Sequence, residues 1–298
     1  PDDIRKPEIR RDAIVGATVV TRPGETIKGA TLLLRDGLVE SVGVDVKVPA
    51  GYRVHDAEGL HIYPGFIDPS VVMNAGEALE RARNGAGAHW NDRIIPQIRM
   101  RDTPGLDSSR RNSLRDAGFT IAQVLPDSGI LRGRGAVVLL TEQDRHRRVI
   151  VDGMQTAAFE TGGWGGGYPG SQMGAIALMR QTLEESRWHA RAVGVHAEDP
   201  TGIEMPEQAD ALDAMQPVLA QEIPVVFTTA NELEALRAAT VAREFGINGV
   251  ILGSGMEFRR LNEVVATSLP VIVPLEFPKK PAVTDPYAAD RVTLRELQ

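Results

Sequence analysis

The hydrophobic pattern changes along the chain from strands alone to strands that alternate with helices. Ala13 to Thr21, Thr31 to Arg35 and Leu38 to Val42 carry the β-branched and aliphatic residues that are typical of strands. Asp36-Gly37 separates the last two and favours a two-residue hairpin turn, since both positions need a positive φ. Residues 46–54 continue the β character, so residues 11–60 are predicted to form part of a small β-sandwich or sheet.

The middle of the chain is less regular. Residues 75–87 are predicted to be partly helical, and residues 88–110 to be a long irregular insertion. A short helix and three strands follow, at Ser109–Ala117, Phe119–Leu125, Ala136–Leu140 and Val149–Asp152. Six of the ten residues from Thr161 to Gly170 are Gly. This segment is interpreted as a mobile lid or connector anchored by Trp164 and Tyr168, with a phosphate cradle as the alternative.

The last third of the chain repeats strand and helix. Helices are predicted from a Ser171 cap to about Ala192, over Glu207–Gln221 with a break or kink at Pro217, over Glu232–Phe245 with an Asn231 and Glu234 capping box, and over Phe258–Thr267. Strands are predicted at Pro224–Thr228, Gly249–Leu252 and Pro270–Pro274. Such spacing requires a parallel sheet with right-handed crossovers. We therefore predict a (β/α)₈ barrel, with an open doubly wound sheet as the alternative.

Composition excludes several classes of function. The net charge is −7, and it is spread along the chain, so neither nucleic acid nor an anionic membrane is expected as a partner. There is no Cys, which removes disulfides, thiolate metal sites and Cys nucleophiles, and leaves both periplasm and cytoplasm open. Apolar runs stay shorter than the roughly 18 residues of a transmembrane helix.

Three segments resemble the amidohydrolase superfamily, closest to its imidazolonepropionase-like branch. They are GLHIYPGFIDPS (Gly59–Ser70), DAGFTIAQVLPDSG (Asp116–Gly129) and the terminal βα repeats. The resemblance implies a TIM-like barrel over residues 63–298, which would be incomplete at the C-terminus because Val292–Gln298 begins a helix with nothing after it. Residues 1–62 would be the N-terminal portion of a composite β-sandwich.

The resemblance also implies where a catalytic metal would lie, and the matching positions lack its ligands. Family members carry His-x-His on the first barrel strand, where this chain has Ser70 and Val72. The His positions of the fifth and sixth strands correspond to Thr228 and to Gly253 or Ser254. No Lys lies between residues 48 and 278, which excludes a carbamylated Lys from this stretch. No metal, no cofactor and no catalytic residue is therefore expected.

The sequence thus predicts an amidohydrolase-like domain that is non-catalytic by itself. It would serve a structural or partner role beside an active metal-dependent C–N hydrolase, or in a homo-oligomer. One alternative is an active hydrolase that recruits unusual ligands from His196, Glu160 or Glu257. Another is a small-molecule module at the barrel mouth. The candidate binding residues are Asp68, Ser70, Thr228, Ser254 and Glu257, and Asp68 is expected to be structural and adjacent to the pocket.

Overall fold

The computed structural model describes residues 10–142, 148–162 and 167–275. The chain divides into two compact units, one up to Phe66 and the other from Ile67. The predicted domain boundary, between residues 62 and 63, stays a prediction.

The first unit is a five-stranded sheet in the order β3-β2-β1-β4, with β5 paired to β1. The strands are β1 Arg11–Arg22, β2 Glu25–Arg35, β3 Leu38–Gly43, β4 Arg53–Asp56 and β5 His61–Ile62. Asp36 and Gly37 have φ angles of 52° and 82°, which confirms the hairpin predicted between β2 and β3. The β character predicted over residues 46–54 is correct only for Arg53 and Val54, since residues 46–52 form no strand.

The second unit is built on a seven-stranded sheet in the order β12-β11-β10-β9-β8-β7-β6. Its strands are β6 Phe66–Met73, β7 Phe119–Pro126, β8 Leu131–Leu139, β9 Val149–Ala158, β10 Val225–Thr228, β11 Gly249–Leu252 and β12 Val271–Ile272. Strands β9 to β12 pair in parallel. Strand β8 is antiparallel to both of its neighbours, β7 and β9, which the predicted parallel barrel did not include.

Two of the described helices begin at the caps that were predicted for them, Ser171 and Asn231. The helices are α1 Glu77–Asn84, α2 Ser108–Asp116, α3 Gln172–Glu198, α4 Asp210–Asp213, α5 Gln216–Leu219, α6 Glu232–Phe245 and α7 Leu261–Ala266. The Ser171 hydroxyl accepts a hydrogen bond from the Gly174 amide, and the Asn231 side chain accepts two from the first turn of α6. Gly246 ends α6 in the left-handed conformation, as predicted.

The two faces of the sheet have different partners. One face packs on α3 and α6 through a cluster that includes Phe227, Leu178 and Phe245. The other face has its own cluster, to which every strand of this sheet except β8 contributes: Val72, Leu125, Met154, Val226, Val250, Leu252 and Ile272. Since the first and last strands of the order share one cluster, the sheet curls towards closure. The α/β, barrel-type fold class is therefore confirmed.

Three sequence predictions need correction. Helix α3 continues through His196 to Glu198, whereas it was predicted to end at about Ala192. The helix predicted over Glu207–Gln221 begins only at Asp210; it is divided near Pro217, as predicted, and Pro217 lies in the first turn of the second helix, where its missing N–H costs nothing. The strand predicted at Pro270–Pro274 is only Val271–Ile272. Val292–Gln298 lies outside the described residues.

A segment before α2 runs close along β8. The Ile95 amide donates to the Leu131 carbonyl at 2.8 Å, and the Arg134 amide donates to the Ile98 carbonyl at 2.7 Å. This approach depends on Gly133, which has a φ of 120° and where a Cβ would lie 2.7 Å from both Cβ and O of Ile98. The close contact positions the loop that carries Arg93.

The same irregular segment is held on α3 by His89. Its Nδ1 accepts a hydrogen bond from the Asn91 amide at 3.0 Å, and its Nε2 lies 3.4 Å from the Glu185 carboxylate. The neutral tautomer with a proton on Nε2 satisfies both contacts, whereas protonation of Nδ1 would break the first. The side chain is 3% exposed, and burial lowers the pKa of His89, with Glu185 acting in the opposite direction.

No helix in the described ranges is both long and apolar enough to span a membrane.

We predict that Gly133→Ala destabilises the protein by at least about 2 kcal/mol, because it combines a disfavoured φ with a backbone clash. Gly194→Ala is the matched control, since Gly194 lies in α3 with nothing within 4 Å of an added Cβ. This control should stabilise the protein by roughly 0.5–1 kcal/mol. Urea unfolding midpoints measure both. A Gly133→Ala variant as stable as the wild type would contradict the close packing of residues 93–98 on β8.

We also predict that His89 contributes to loss of stability in acid. Because the pKa of His89 is lowered in the folded protein, the neutral form is stabilising above the unfolded pKa of about 6.5, and this stabilisation is lost as pH falls through the folded value. The free energy of unfolding of His89→Gln should therefore fall less steeply between about pH 7 and pH 5 than that of the wild type. Equal slopes for the two proteins would refute the assignment.

Candidate functional site at the carboxyl ends of the strands

Four charged and polar side chains lie where the strands of the second unit end. Strand residues alternate between faces, so the inner cluster residues Leu125 and Val226 fix which neighbours also face inward. Continuing the alternation brings Asp127, Glu160 and Thr228 to the inner edge. Because β8 is antiparallel, its beginning, with Arg132, lies at this same edge, and Leu131 pairs with Ala157 near the end of β9.

Arg132 is the centre of this group. Its side chain is 10% exposed, and its Nε donates to the Gly129 carbonyl at 2.9 Å. Its Nη1 donates to the Thr228 hydroxyl at 3.4 Å, and its Nη2 lies 3.6 Å from the Glu160 carboxylate. Burial lowers the pKa of the Arg132 guanidinium, while the carboxylates of Glu160 and Asp127 act in the opposite direction. The guanidinium nevertheless remains charged at all physiological pH values.

Glu160 joins this arginine to two other segments. One carboxylate oxygen accepts from the Gly129 amide at 2.6 Å, and the other accepts from Arg93 Nη1 at 2.9 Å. The side chains of Arg93 and Glu160 are 17% and 33% exposed, so the pair is largely shielded from water. We name Arg93, Arg132 and Glu160 the arginine–glutamate cluster.

A second polar group lies at the ends of β6 and β7. The Asp127 carboxylate accepts from the Ser128 hydroxyl at 2.5 Å and from the Asn74 amide at 3.4 Å. The Asp127 backbone amide donates to the Met73 carbonyl at 3.1 Å, which joins the two strand ends.

Two of the predicted binding residues lie in β6, before its end. The Asp68 carboxylate accepts from the Ser70 amide at 3.0 Å, a local turn contact between residues two positions apart. Ser70 shares the inner face with Val72 and lies three residues before Met73. Both Asp68 and Ser70 are partly buried, and no contact between either of them and the arginine–glutamate cluster is seen.

Ser254 and Glu257 form a local cap after β11. The Glu257 carboxylate accepts from the amides of Ser254 and Gly255 at 2.7 and 2.9 Å, and from the Ser254 hydroxyl at 3.0 Å. A Cβ on Gly253 would approach the same carboxylate to 3.1 Å. This carboxylate is therefore occupied by the turn that it closes. Of the five predicted residues, Thr228 is the one that contacts the arginine–glutamate cluster.

The metal site that the resemblance implies would need several ligand side chains close together. Among the residues that the structure describes, no three His, Asp or Glu side chains come together as a metal would require. The described His residues are dispersed: His55 pairs with Asp12 at 2.7 Å, His189 lies against Asp213 at 3.1 Å, and His196 is in the last turn of α3. At the inner edge, a guanidinium lies among hydroxyls and carboxylates that are already paired.

Both described ends of the glycine-rich segment are held by one neighbouring stretch. Glu160 binds Arg93, and the Tyr168 carbonyl accepts from the Asn91 amide side chain at 2.9 Å. The rings of Trp90 and Tyr168 stack with centroids 6.2 Å apart. Tyr168 therefore has the anchoring role that was predicted for it, while Trp164 lies outside the described residues.

Arg93 and Arg132 were not among the residues predicted from the sequence. Arg93 lies in a segment interpreted as an irregular insertion, and Arg132 was not assigned to a strand. The sequence did contain a signal for the direction of the strand that carries Arg132. The connection Pro126-Asp127-Ser128-Gly129 is too short for a crossover to a parallel strand. The next strand had to run backwards and to begin at the functional edge.

Comparison of the sequence with known proteins finds two enzymes that match part of the chain. No protein-family model matches the chain. A dihydroorotase of Anaeromyxobacter dehalogenans is 28% identical over 192 residues, which cover 62% of this chain and 41% of the relative. An imidazolonepropionase of Deinococcus deserti is 27% identical over 115 residues, which cover 34% of this chain and 29% of the relative. The chain therefore spans less than half of the length of these curated relatives.

A solved structure matches far more of the chain. The crystal structure of an amidohydrolase from Thermotoga maritima superposes with a TM-score of 0.72 at 23% identity and covers 90% of this chain and 71% of that chain. At this identity the match establishes the fold. The two sequence matches and the shared fold support the resemblance to the amidohydrolase superfamily.

Proposed function

We propose that this chain is an amidohydrolase-type domain that does not hydrolyse C–N bonds by the metal-dependent route of the family. The observation that carries the proposal is the buried guanidinium of Arg132 at the inner edge of the strands, within reach of Thr228. The resemblance implies a metal-binding His at the position of Thr228. A hydroxyl there accepts a hydrogen bond from a permanent cation.

Electrostatics support this proposal. Two unit charges about 4 Å apart repel by about 4 kcal/mol at an effective dielectric constant of about 20, and a divalent ion doubles that value. Glu160 offsets part of the repulsion, but its carboxylate is shared by two guanidiniums. The cluster of Arg93, Arg132 and Glu160 carries a formal charge of +1. Ser70 and Ser254 offer neutral hydroxyls, which are poor ligands for a zinc-like ion.

The non-catalytic role that we propose is a structural one, beside an active hydrolase domain or in an oligomer. The first unit supports this because several large apolar side chains on its sheet are exposed. Leu38 is 73% exposed, Val39 62% and Val54 56%. These residues lie on β3 and β4, the two ends of the strand order, and an exposed outer strand can pair with or pack against another protein.

A second candidate function is small-molecule binding at the inner edge, and the arginine–glutamate cluster favours it. Ligands of barrels of this type bind at the carboxyl ends of the strands. A few charged groups converging above an apolar inner cluster is a common arrangement in ligand sites.

We predict that the purified chain, incubated with Zn²⁺ or Mn²⁺ and then dialysed, retains far less than one ion per chain. It should also hydrolyse cyclic amides and ureides no faster than buffer does. The reason is that no described group of side chains offers three ligands, and Arg132 holds a positive charge at the strand ends. Elemental analysis measures the metal, and proton NMR of the substrate panel measures turnover.

Three variants serve as the control for this experiment: His196→Ala, Glu160→Gln and Glu257→Gln, which each remove one alternative ligand. None of them should change the metal content. The proposal is wrong if about one ion per chain is retained and both the ion and turnover are lost in one of these variants, because that result identifies a working site with unusual ligands.

A further inference from the structure

The carboxylate of Glu160 occupies a position built to hold an oxyanion. It receives one backbone amide at 2.6 Å, one guanidinium N–H at 2.9 Å and the charge of a second guanidinium at 3.6 Å. Paired guanidiniums with a backbone amide are the groups by which proteins recognise carboxylates and phosphates. The described geometry therefore resembles an anion site whose occupant is a side chain of the protein itself.

The Glu160 carboxylate neutralises only part of the positive charge of the two arginines. Two guanidiniums face one carboxylate, and the distance of 3.6 Å from Arg132 is an ion-pair contact longer than a hydrogen bond. The Nε of Arg93 is buried, and within the described part of the chain it donates to no acceptor. Asp127 contributes further negative charge near Arg132, but one of its carboxylate oxygens already accepts from the Ser128 hydroxyl and the Asn74 side chain.

Glu160 can leave this position without unfolding of a strand. It lies two residues after Ala158, the last residue of β9, and the next residues are Thr161 and Gly162. Its contacts reach residues 31 and 67 positions away and do not close its own turn. A rotamer change of the side chain would therefore free both arginines together with the Gly129 amide.

We propose that Arg93, Arg132 and the Gly129 amide form a binding site for a small molecule with a carboxylate or phosphate group, which displaces the Glu160 carboxylate. The proposal deepens the second candidate function above, and it holds whether or not the chain hydrolyses anything. The competing explanation is a purely structural ion-pair network. The two explanations differ in what happens when the internal carboxylate is removed.

The experiment compares wild type with Glu160→Gln, which keeps the shape of the side chain and removes its charge. Thermal unfolding is followed as sodium acetate or sodium phosphate replaces sodium chloride at constant ionic strength. Glu160→Gln should unfold at a lower temperature than wild type in chloride, since two buried guanidiniums lose their counter-charge. Acetate or phosphate should restore its stability, with a half-saturating concentration at least tenfold lower than that of the wild type.

Matched variants separate a specific site from general anion effects. Arg93→Gln and Arg132→Gln, each combined with Glu160→Gln, should abolish the restoration. Glu257→Gln removes a strand-end carboxylate that is held by its own turn, and its response to anions should equal that of the wild type. If Glu160→Gln does not fold, Glu160→Asp takes its place in the comparison with wild type. This substitution shortens the side chain by one methylene and so withdraws the carboxylate from the two arginines.

Each result decides the proposal. Restoration by acetate alone or by phosphate alone supports the site and identifies the ligand group, and restoration by both supports a general oxyanion site. Failure of both anions to restore Glu160→Gln or, in its place, Glu160→Asp refutes the site and leaves a structural network. Equal restoration in the variants that lack Arg93 or Arg132 also refutes it. Metal content and turnover are not read out, so the outcome is independent of the hydrolysis test.

Discussion

The length of the connection between β7 and β8 determines how the functional edge is built. Only residues 127–130 separate the end of β7 from the start of β8. A parallel neighbour would require a crossover of about a dozen residues or more, so the chain must turn back and run antiparallel. Gly129 makes the turn possible, since its φ is 99° and an added Cβ would lie 2.9 Å from the Arg93 carbonyl. As a result, the beginning of β8 is at the edge where the parallel strands end.

This reversal brings a permanent cation to the inner edge, and the cation then requires partners. A buried guanidinium is costly unless hydrogen bonds and an opposite charge compensate it. Arg132 obtains a carbonyl from Gly129, a hydroxyl from Thr228 and a carboxylate from Glu160. Those three partners come from the β7–β8 connection, from β10 and from the residue pair after β9. The ends of separate strands are thus coupled through one side chain.

Local signals in the sequence predicted much of the fold, because hairpins, caps and βα units are set by residues close in the chain. Asp36-Gly37, Ser171, Asn231 and Gly246 each have the predicted conformation or contact. The end of α3 was misplaced because the residues after His189 are not buried, so no apolar periodicity marks where the helix stops. The orientation of β8 was missed because an isolated strand has no direction, and only the short connection before it reveals one.

The candidate site was harder to predict, because it depends on pairs that are distant in the sequence. Arg93 and Glu160 are 67 positions apart, and Arg132 and Thr228 are 96 apart. The resemblance pointed to Thr228, but it directed attention to ligands that this chain lacks. The resemblance gave no reason to consider arginines, since a positively charged guanidinium does not bind a metal ion.

Glu160 and Glu257 illustrate why carboxylates at equivalent strand ends can have different roles. Glu257 is held by the amides of Ser254 and Gly255, three and two residues away, so its position follows from the turn itself. Glu160 is held across the sheet by an amide and two guanidiniums from other segments. A group that closes its own turn cannot leave without loss of the turn. A group that fills a site made by other segments can be replaced by any anion that satisfies the same donors, and for this reason Glu160, rather than Glu257, indicates a ligand.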